Sequence, residues 1–160
     1  MLALRRRSAG HRLTAAEARR ELLHDATEAL LGGYDPITPL KPHLGEGYRT
    51  LVALHQQAVD RRYALPAWDD TSYRAHKAAD HLAAASEALH CVGWSHEAIR
   101  NDLEITVDPL QDDPLFAMGN FAPWEPWPAV YAADRFLEAL YLLTPDNAAA
   151  VELTPKSEHA

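Results

Sequence analysis

The chain has 160 residues, 48% hydrophobic and 24% charged, which fits one globular domain. Its formal net charge of −8 opposes nonspecific binding to phosphate backbones. Cys91 is the single cysteine, so an intramolecular disulfide is excluded, and no apolar run approaches the ~20 residues of a membrane span. We therefore expect a cytoplasmic protein without a membrane partner.

Positive charge is concentrated in residues 1–20, which contain six arginines and one acid. This segment has a net charge of +5, which leaves −13 for the remaining residues. We interpret residues 1–13 as a basic flexible arm, residues 14–144 as a helical domain and residues 145–160 as a short polar tail. The arm would bind an acidic partner or nucleic acid through Arg5, Arg6, Arg7 and Arg12.

The first predicted helix covers residues 15–31. Thr14 and Glu17 form the T-x-x-E pattern of a capping box, and Gly32 and Gly33 suit a left-handed helix end. A rotation of 100° per residue separates an apolar side from a polar side that we expect to face solvent. The apolar side consists of Ala15, Leu22, Leu23, Ala26, Ala29 and Leu30, and the polar side of Glu17, Glu21, His24, Asp25 and Glu28.

Two further helices are predicted from residue 46 to 63 and from about residue 72 to 92. Asp69, Asp70 and Thr71 supply the N-terminal cap of the second of these, and Gly93 ends it. Its expected solvent side contains His76, Lys77, Asp80, His81 and Glu87, and its expected buried side Ala78, Leu82, Ala85, Leu89 and Val92. The expected buried side of the helix at 46–63 contains Tyr48, Leu51, Val52, Leu54, Ala58 and Val59, with His55 among them.

The remaining elements are a short helix at 96–104, capped by Ser95, and a last helix at 128–143 that begins at Pro128. The last helix is apolar almost all round, which is typical of a helix at the centre of a core or in an oligomer interface, and we expect it to be the central element. The sequence thus predicts an all-α, compact bundle of four main helices plus the short helix, with a Pro/Trp-rich loop before the last helix.

Nine histidines and two E-x-x-H patterns, Glu21 with His24 and Glu87 with His90, raise the alternative of a metal centre. Di-iron bundle proteins use this spacing, and a single zinc or iron ion could use His76, Asp80, Glu87 and His90. Metal ligands in a bundle must project inward, whereas these residues fall on predicted solvent sides. We therefore favour no metal and no cofactor.

Two features suggest binding residues. Trp124 and Trp127 lie in a proline-rich segment, and tryptophan is enriched at interface hot spots. His55 is expected to be buried, where its imidazole needs a polar partner. Asp134 and Glu138 are the acids of the apolar last helix and have the same need. We predict that His55 contacts one of them.

No G-x-G-x-x-G, P-loop or G-x-S-x-G pattern occurs. Cys91 follows His90, but neighbours on a helix point about 100° apart, so this pair is no catalytic arrangement and the sequence favours a non-enzymatic role. We expect a small intracellular interaction or regulatory module that contacts a protein partner and self-associates as a homo-oligomer. Two alternatives remain open. One is a metal-binding bundle protein or metal-dependent enzyme with His, Glu and Asp ligands. The other is a nucleic-acid-associated protein that uses its basic arm.

Overall fold

A computed structural model describes residues 4–5, 13–37 and 39–145. Within these ranges the chain is all-α, as predicted, and contains no strand. The six α-helices are α1 (Ala15–Leu22), α2 (Ala26–Leu30), α3 (Gly45–Tyr63), α4 (Asp70–Glu87), α5 (His96–Asp102) and α6 (Ala129–Leu142). A π-helical segment, Ala88–Val92, continues α4, and 3₁₀ turns occur at Lys41–Leu44 and Phe116–Met118.

The helix starts follow the capping chemistry of the sequence. Thr14 and Glu17 form a reciprocal capping box at α1, and the backbone N–H of Glu17 donates to the Thr14 hydroxyl at 3.2 Å. Asp69 accepts hydrogen bonds from two backbone N–H groups at the start of α4, and Ser95 accepts one at the start of α5. These predictions are confirmed because each cap depends only on residues two or three positions apart.

The predicted continuous helix at 15–31 is wrong, because residues 23–25 form a turn that separates α1 from α2. The Nδ1 atom of His24 lies 3.0 Å from the carbonyl oxygen of Glu21 and must donate to it. A continuing α-helix would use that carbonyl for the backbone N–H of Asp25. The histidine side chain therefore takes an acceptor that the helix needs.

The predicted solvent and core sides of the predicted helices at 15–31 and 72–92 are also wrong at several positions. Glu21 is completely buried and His76 is 7% exposed, although both were expected to face solvent. Conversely, Leu30 and Val92 are exposed, although both were expected in the core. The physical reason is that the buried polar groups pair with one another, so their burial does not leave unsatisfied charges.

Alanines make up four of the ten buried hydrophobic residues in the described part of the chain. One core cluster comprises Ala85, Ala88, Ile99 and Ile105, where the end of α4 and the π-helical segment meet α5 and the residues after it. None of the residues of α6 is buried, so the expectation that the last helix is the central element is wrong. Leu51 and Leu54 of α3 are exposed as well. No helix in the described part of the chain is long and apolar enough to cross a membrane.

Candidate functional site

Three consecutive charged residues of α1 turn toward the interior. Arg19 is 3% exposed, Arg20 is 5% exposed and Glu21 is fully buried. Burial of a charge is costly unless hydrogen bonds and opposite charges compensate for it. The partners of these three side chains therefore show how the helices are held together.

Glu21 is the centre of a buried ion-pair network. One of its oxygens accepts a hydrogen bond from Nε of Arg5 at 2.8 Å, and the other lies 2.8 Å from Nδ1 of His76. Burial by itself would raise the pKa of Glu21, but the hydrogen bonds from His76 and Arg5 outweigh it and hold the pKa below its usual value. A carboxylate with both oxygens engaged and no exposure is inaccessible to a substrate, and this one joins α1 to α4 and to Arg5.

His24 borders this network on its more open side. Its Nε2 atom lies 2.7 Å from a carboxylate oxygen of Asp25 and 4.0 Å from one of Asp80, and its ring meets the His76 ring edge-on. Burial would lower the pKa of His24, but the hydrogen bond and charge of Asp25, with the charge of Asp80, raise it above the usual value. The two acids therefore favour a protonated His24.

Arg19 and Arg20 bind backbone carbonyl groups instead of carboxylates. Arg19 donates to the carbonyl oxygens of Tyr63 and Ala64 at the end of α3, and to that of Leu143 at the end of α6. Helix C-termini carry partial negative charge, so a cation there is favourable. Arg20 donates to the carbonyls of residues 66 and 67 while its guanidinium lies 3.5 Å from the Trp68 ring centre. Through these bonds α1 fixes the ends of α3 and α6.

Away from its contacts with Arg19, Phe121 and Trp127, α6 presents large apolar side chains to solvent. Val130 is 75% exposed, Leu137 is 59% exposed and Tyr141 is 51% exposed. Steps of seven and four residues place these side chains along one line of the helix. Three large exposed apolar side chains in one line are more than the scattered apolar residues that protein surfaces ordinarily carry.

A groove of about 520 Å³ runs beside this face, between α6 and the end of α3. Leu137, Leu140 and Tyr141 form its apolar wall, and Arg62 and Tyr63 belong to its other wall. The guanidinium carbon of Arg62 lies 5.2 Å from the Tyr63 ring centre. Across the described ranges no carboxylate pairs with Arg62, so the groove combines an apolar wall with an uncompensated positive charge.

The structure does not bring the predicted partners of His55 to it. His55 is half-buried, and its Nδ1 atom has no hydrogen-bond partner among the described residues. Asp134 is exposed on α6, and Glu138 accepts a hydrogen bond from Arg135. The sequence did not predict the groove beside α6, because its lining residues Arg19 and Arg62 lie far from α6 along the chain.

Both tryptophans of the proline-rich segment are half-buried. Trp124 has a φ of 63°, donates its backbone N–H to Asp113 at 2.9 Å and stacks on His90 with ring centres 4.3 Å apart. Trp127 packs edge-on against Tyr131 of α6 at 5.1 Å. The two rings thus have different surroundings, and only Trp127 adjoins the last helix.

Three of the four residues considered for a mononuclear metal site bond to separate partners. His76 bonds to Glu21, Asp80 bonds to Lys77, and His90 lies 2.7 Å from the carbonyl oxygen of Leu110. Burial raises the pKa of Glu87, with the charges of Asp25 and Asp80 adding to the effect. Among the described residues, no group of three or more His, Cys, Asp or Glu side chains is placed to hold a metal ion.

One arginine of the expected basic arm is described, and it is not solvated. Arg5 is 4% exposed and bonded to Glu21, and Leu4 beside it is buried. The other three predicted arm residues, Arg6, Arg7 and Arg12, lie outside the described residues, as does most of the predicted tail. Arg5 is thus part of the buried network.

Comparison with known proteins gives one similarity. The chain is 38% identical, over 115 residues, to an uncharacterized protein of Rhodobacter capsulatus. The match covers 70% of this chain and 54% of that protein, so the chain spans about half the length of the curated relative it matches. No protein-family model and no solved structure matches the chain.

Proposed function

We propose that this chain is a protein-interaction module whose binding surface is the exposed face of α6 with the adjoining groove. The observation that carries the proposal is the apolar line of Val130, Leu137 and Tyr141, three large side chains that are each more than half exposed. Single exposed apolar residues are ordinary on protein surfaces, but an aligned set on one helix is not.

The buried network of α1 supports this reading over an enzymatic one. Glu21 and His76 are the most deeply buried acid and histidine of the described chain, and they bind each other. A general acid or base must reach the proton that it transfers. Polar groups that are buried and mutually bonded serve instead to join parts of the chain, here α1 with α4.

Trp127 extends the proposed surface toward the start of α6. Its half-buried ring packs on Tyr131, which leaves part of the indole accessible to a partner. Tryptophan provides a large contact area together with an N–H donor, and is therefore a frequent anchor of interfaces.

Site-specific photo-crosslinking in the native cell tests the proposal. A photoreactive amino acid in place of Leu137 should give a discrete covalent adduct with a protein. The same group in place of Glu97, which is exposed on α5, is the matched control and should give none. If position 137 gives no adduct, or only the pattern obtained from position 97, the face of α6 is not an interaction surface.

A further inference from the structure

We infer that the partner of α6 is a second copy of this chain, docked so that the groove side of each helix meets the acidic side of the other. The inference rests on the proposed function and names the occupant of its surface. It depends on how charge is distributed on the two sides of the apolar line.

The positive side of the line is the groove side. Leu140 is turned about 80° from the line of Val130, Leu137 and Tyr141, and it lines the groove that contains Arg62. Arg62 is exposed, and among the described residues it has no ion-pair partner. An interacting molecule is therefore expected to bring a carboxylate to this side.

The negative side lies opposite. Asp134 and Glu138 are turned by about 40° and 80° from the same line, in the direction away from Leu140. Both are exposed, and Asp134 forms no ion pair with any residue that the structure describes. The surface thus has an apolar centre, a cation on one side and carboxylates on the other.

Such a surface is complementary to itself. Two copies related by a twofold axis parallel to α6 place their apolar lines face to face. The same rotation exchanges the two sides of the line, so the Arg62 side of each copy meets the acidic side of the other. Asp134 lies three residues, less than one helical turn, before the groove-lining Leu137, so the opposite charges meet at nearly one level. This is the isologous arrangement that symmetric dimers use. Both copies would form the same ion pairs, and the apolar centre of the interface would exclude water.

The size of the surface predicts a modest affinity. A helix of 14 residues is about 21 Å long, and one face of it with a groove offers less than the ~800 Å² per partner of a standard interface. We expect a concentration-dependent equilibrium between one and two copies, which sedimentation equilibrium of the full chain measures directly.

Complementary charge reversal is the decisive experiment. Arg62→Asp and Asp134→Arg should each weaken association about tenfold or more at low salt, because each places like charges opposite one another. An equimolar mixture of the two variants should recover association near the wild-type level, since each variant then meets the opposite charge in the other. Mixing cannot rescue a variant that has simply misfolded.

Matched variants separate the specific contact from general effects. Arg61→Asp reverses a neighbouring exposed charge of α3 outside the groove and should leave association unchanged. Leu137→Asp should abolish association, whereas Leu30→Asp, at an equally exposed leucine of α2, should not.

The two proposals fail in different ways. A wild-type chain that stays monomeric at all concentrations, or variants that are not restored by mixing, would overturn the second-copy inference. If position 137 then crosslinks to a different protein, the interaction function stands with another partner. If it crosslinks to nothing, both proposals are overturned.

Discussion

The fully buried carboxylate of Glu21 lies 2.8 Å from Nδ1 of His76, which joins α1 to α4. The second oxygen of the same carboxylate accepts a hydrogen bond from Arg5, so one side chain links three parts of the chain. Its two partners offset the cost of burying its charge, and each partner in turn depends on that charge.

Replacement of this carboxylate by an amide should therefore be strongly destabilising. Glu21→Gln leaves Arg5 and His76 buried around a neutral group, and we expect the free energy of unfolding to fall by about 3 kcal/mol or more. Urea unfolding followed by circular dichroism measures the change. Glu104→Gln, which alters an exposed glutamate in the same way, is the control and should change stability little. A loss below about 1 kcal/mol for Glu21→Gln would mean that the network contributes no more than a surface pair.

The carboxyl group of Glu28 makes the stability of the fold depend on pH. Burial, the charge of Asp25 and a hydrogen bond with Asp35 raise the pKa of Glu28 from 4.5 to about 7. Since the folded state holds the proton more tightly than the unfolded state, this group stabilises the fold below pH 4.5, and that contribution is lost as pH rises through about 7. Glu28→Gln keeps a neutral group at the site, so the variant should gain stability relative to wild type between pH 5 and pH 8.

Urea unfolding at several pH values checks this expectation, with Glu104→Gln measured alongside as the control. The difference in unfolding free energy between Glu28→Gln and wild type should become more positive as pH rises. A difference that is constant over the whole interval would show that Glu28 ionises at its ordinary pKa in the folded state.

The sequence predicted what depends on near neighbours. The caps by Thr14, Asp69 and Ser95 were correct, because each side chain binds a backbone N–H two or three residues away. Which side of α1 is buried could not be predicted in this way. Glu21 belongs to the E-x-x-H pattern that stood out in the sequence, but hydrophobicity assigned it to solvent, since its buried partner His76 is 55 positions away.

The last helix illustrates the same limit. An apolar helix fits either the centre of a core or an interface, and the sequence does not distinguish the two. The distinction depends on what surrounds α6, and that is set by contacts such as Arg19 with the carbonyl of Leu143, 124 positions apart. The candidate groove could not be predicted for the same reason, because its two walls, at Arg62 and at Leu137, lie far apart in the sequence.

The pKa of His24, the histidine beside the buried network, should depend on two neighbouring carboxylates to different extents. Asp25 touches Nε2 of His24 at 2.7 Å, while Asp80 lies 4.0 Å away, and together they raise the pKa of His24 against the effect of burial. Asp25→Asn should lower that pKa, and Asp80→Asn should lower it by less. NMR titration of the His24 ring protons measures both, with Asp70→Asn, at the exposed start of α4, as a control that should leave it unchanged.

The sign of the effect on stability follows from this shift. A histidine whose pKa is raised in the folded state stabilises the fold fully below its unfolded pKa of 6.5, and the contribution is lost as pH rises through the higher folded value. Wild type should therefore lose part of its advantage over Asp25→Asn as pH rises above neutrality. If Asp80→Asn lowers the pKa of His24 more than Asp25→Asn does, the hydrogen bond to Asp25 is not the dominant contact.

The attachment of α6 gives the last prediction. Arg19 is the one side chain that donates to carbonyl groups at the ends of both α3 and α6 among the described hydrogen bonds. Arg19→Ala removes these donors, and we expect the free energy of unfolding to fall by about 2–3 kcal/mol, since hydrogen bonds from a charged donor are worth more than neutral ones. Arg19 holds the end of α6, whereas its start is held by Tyr131, which packs on Phe121 and Trp127, so in Arg19→Ala the amide protons of the second half of α6 should exchange with deuterium faster than those of α4. Hydrogen exchange read by mass spectrometry, at a protein concentration where the chain is monomeric, tests this, and Arg74→Ala at an exposed position of α4 is the matched control. Equal acceleration of α4 and α6 in Arg19→Ala would show that the arginine stabilises the whole domain and does not specifically anchor its last helix.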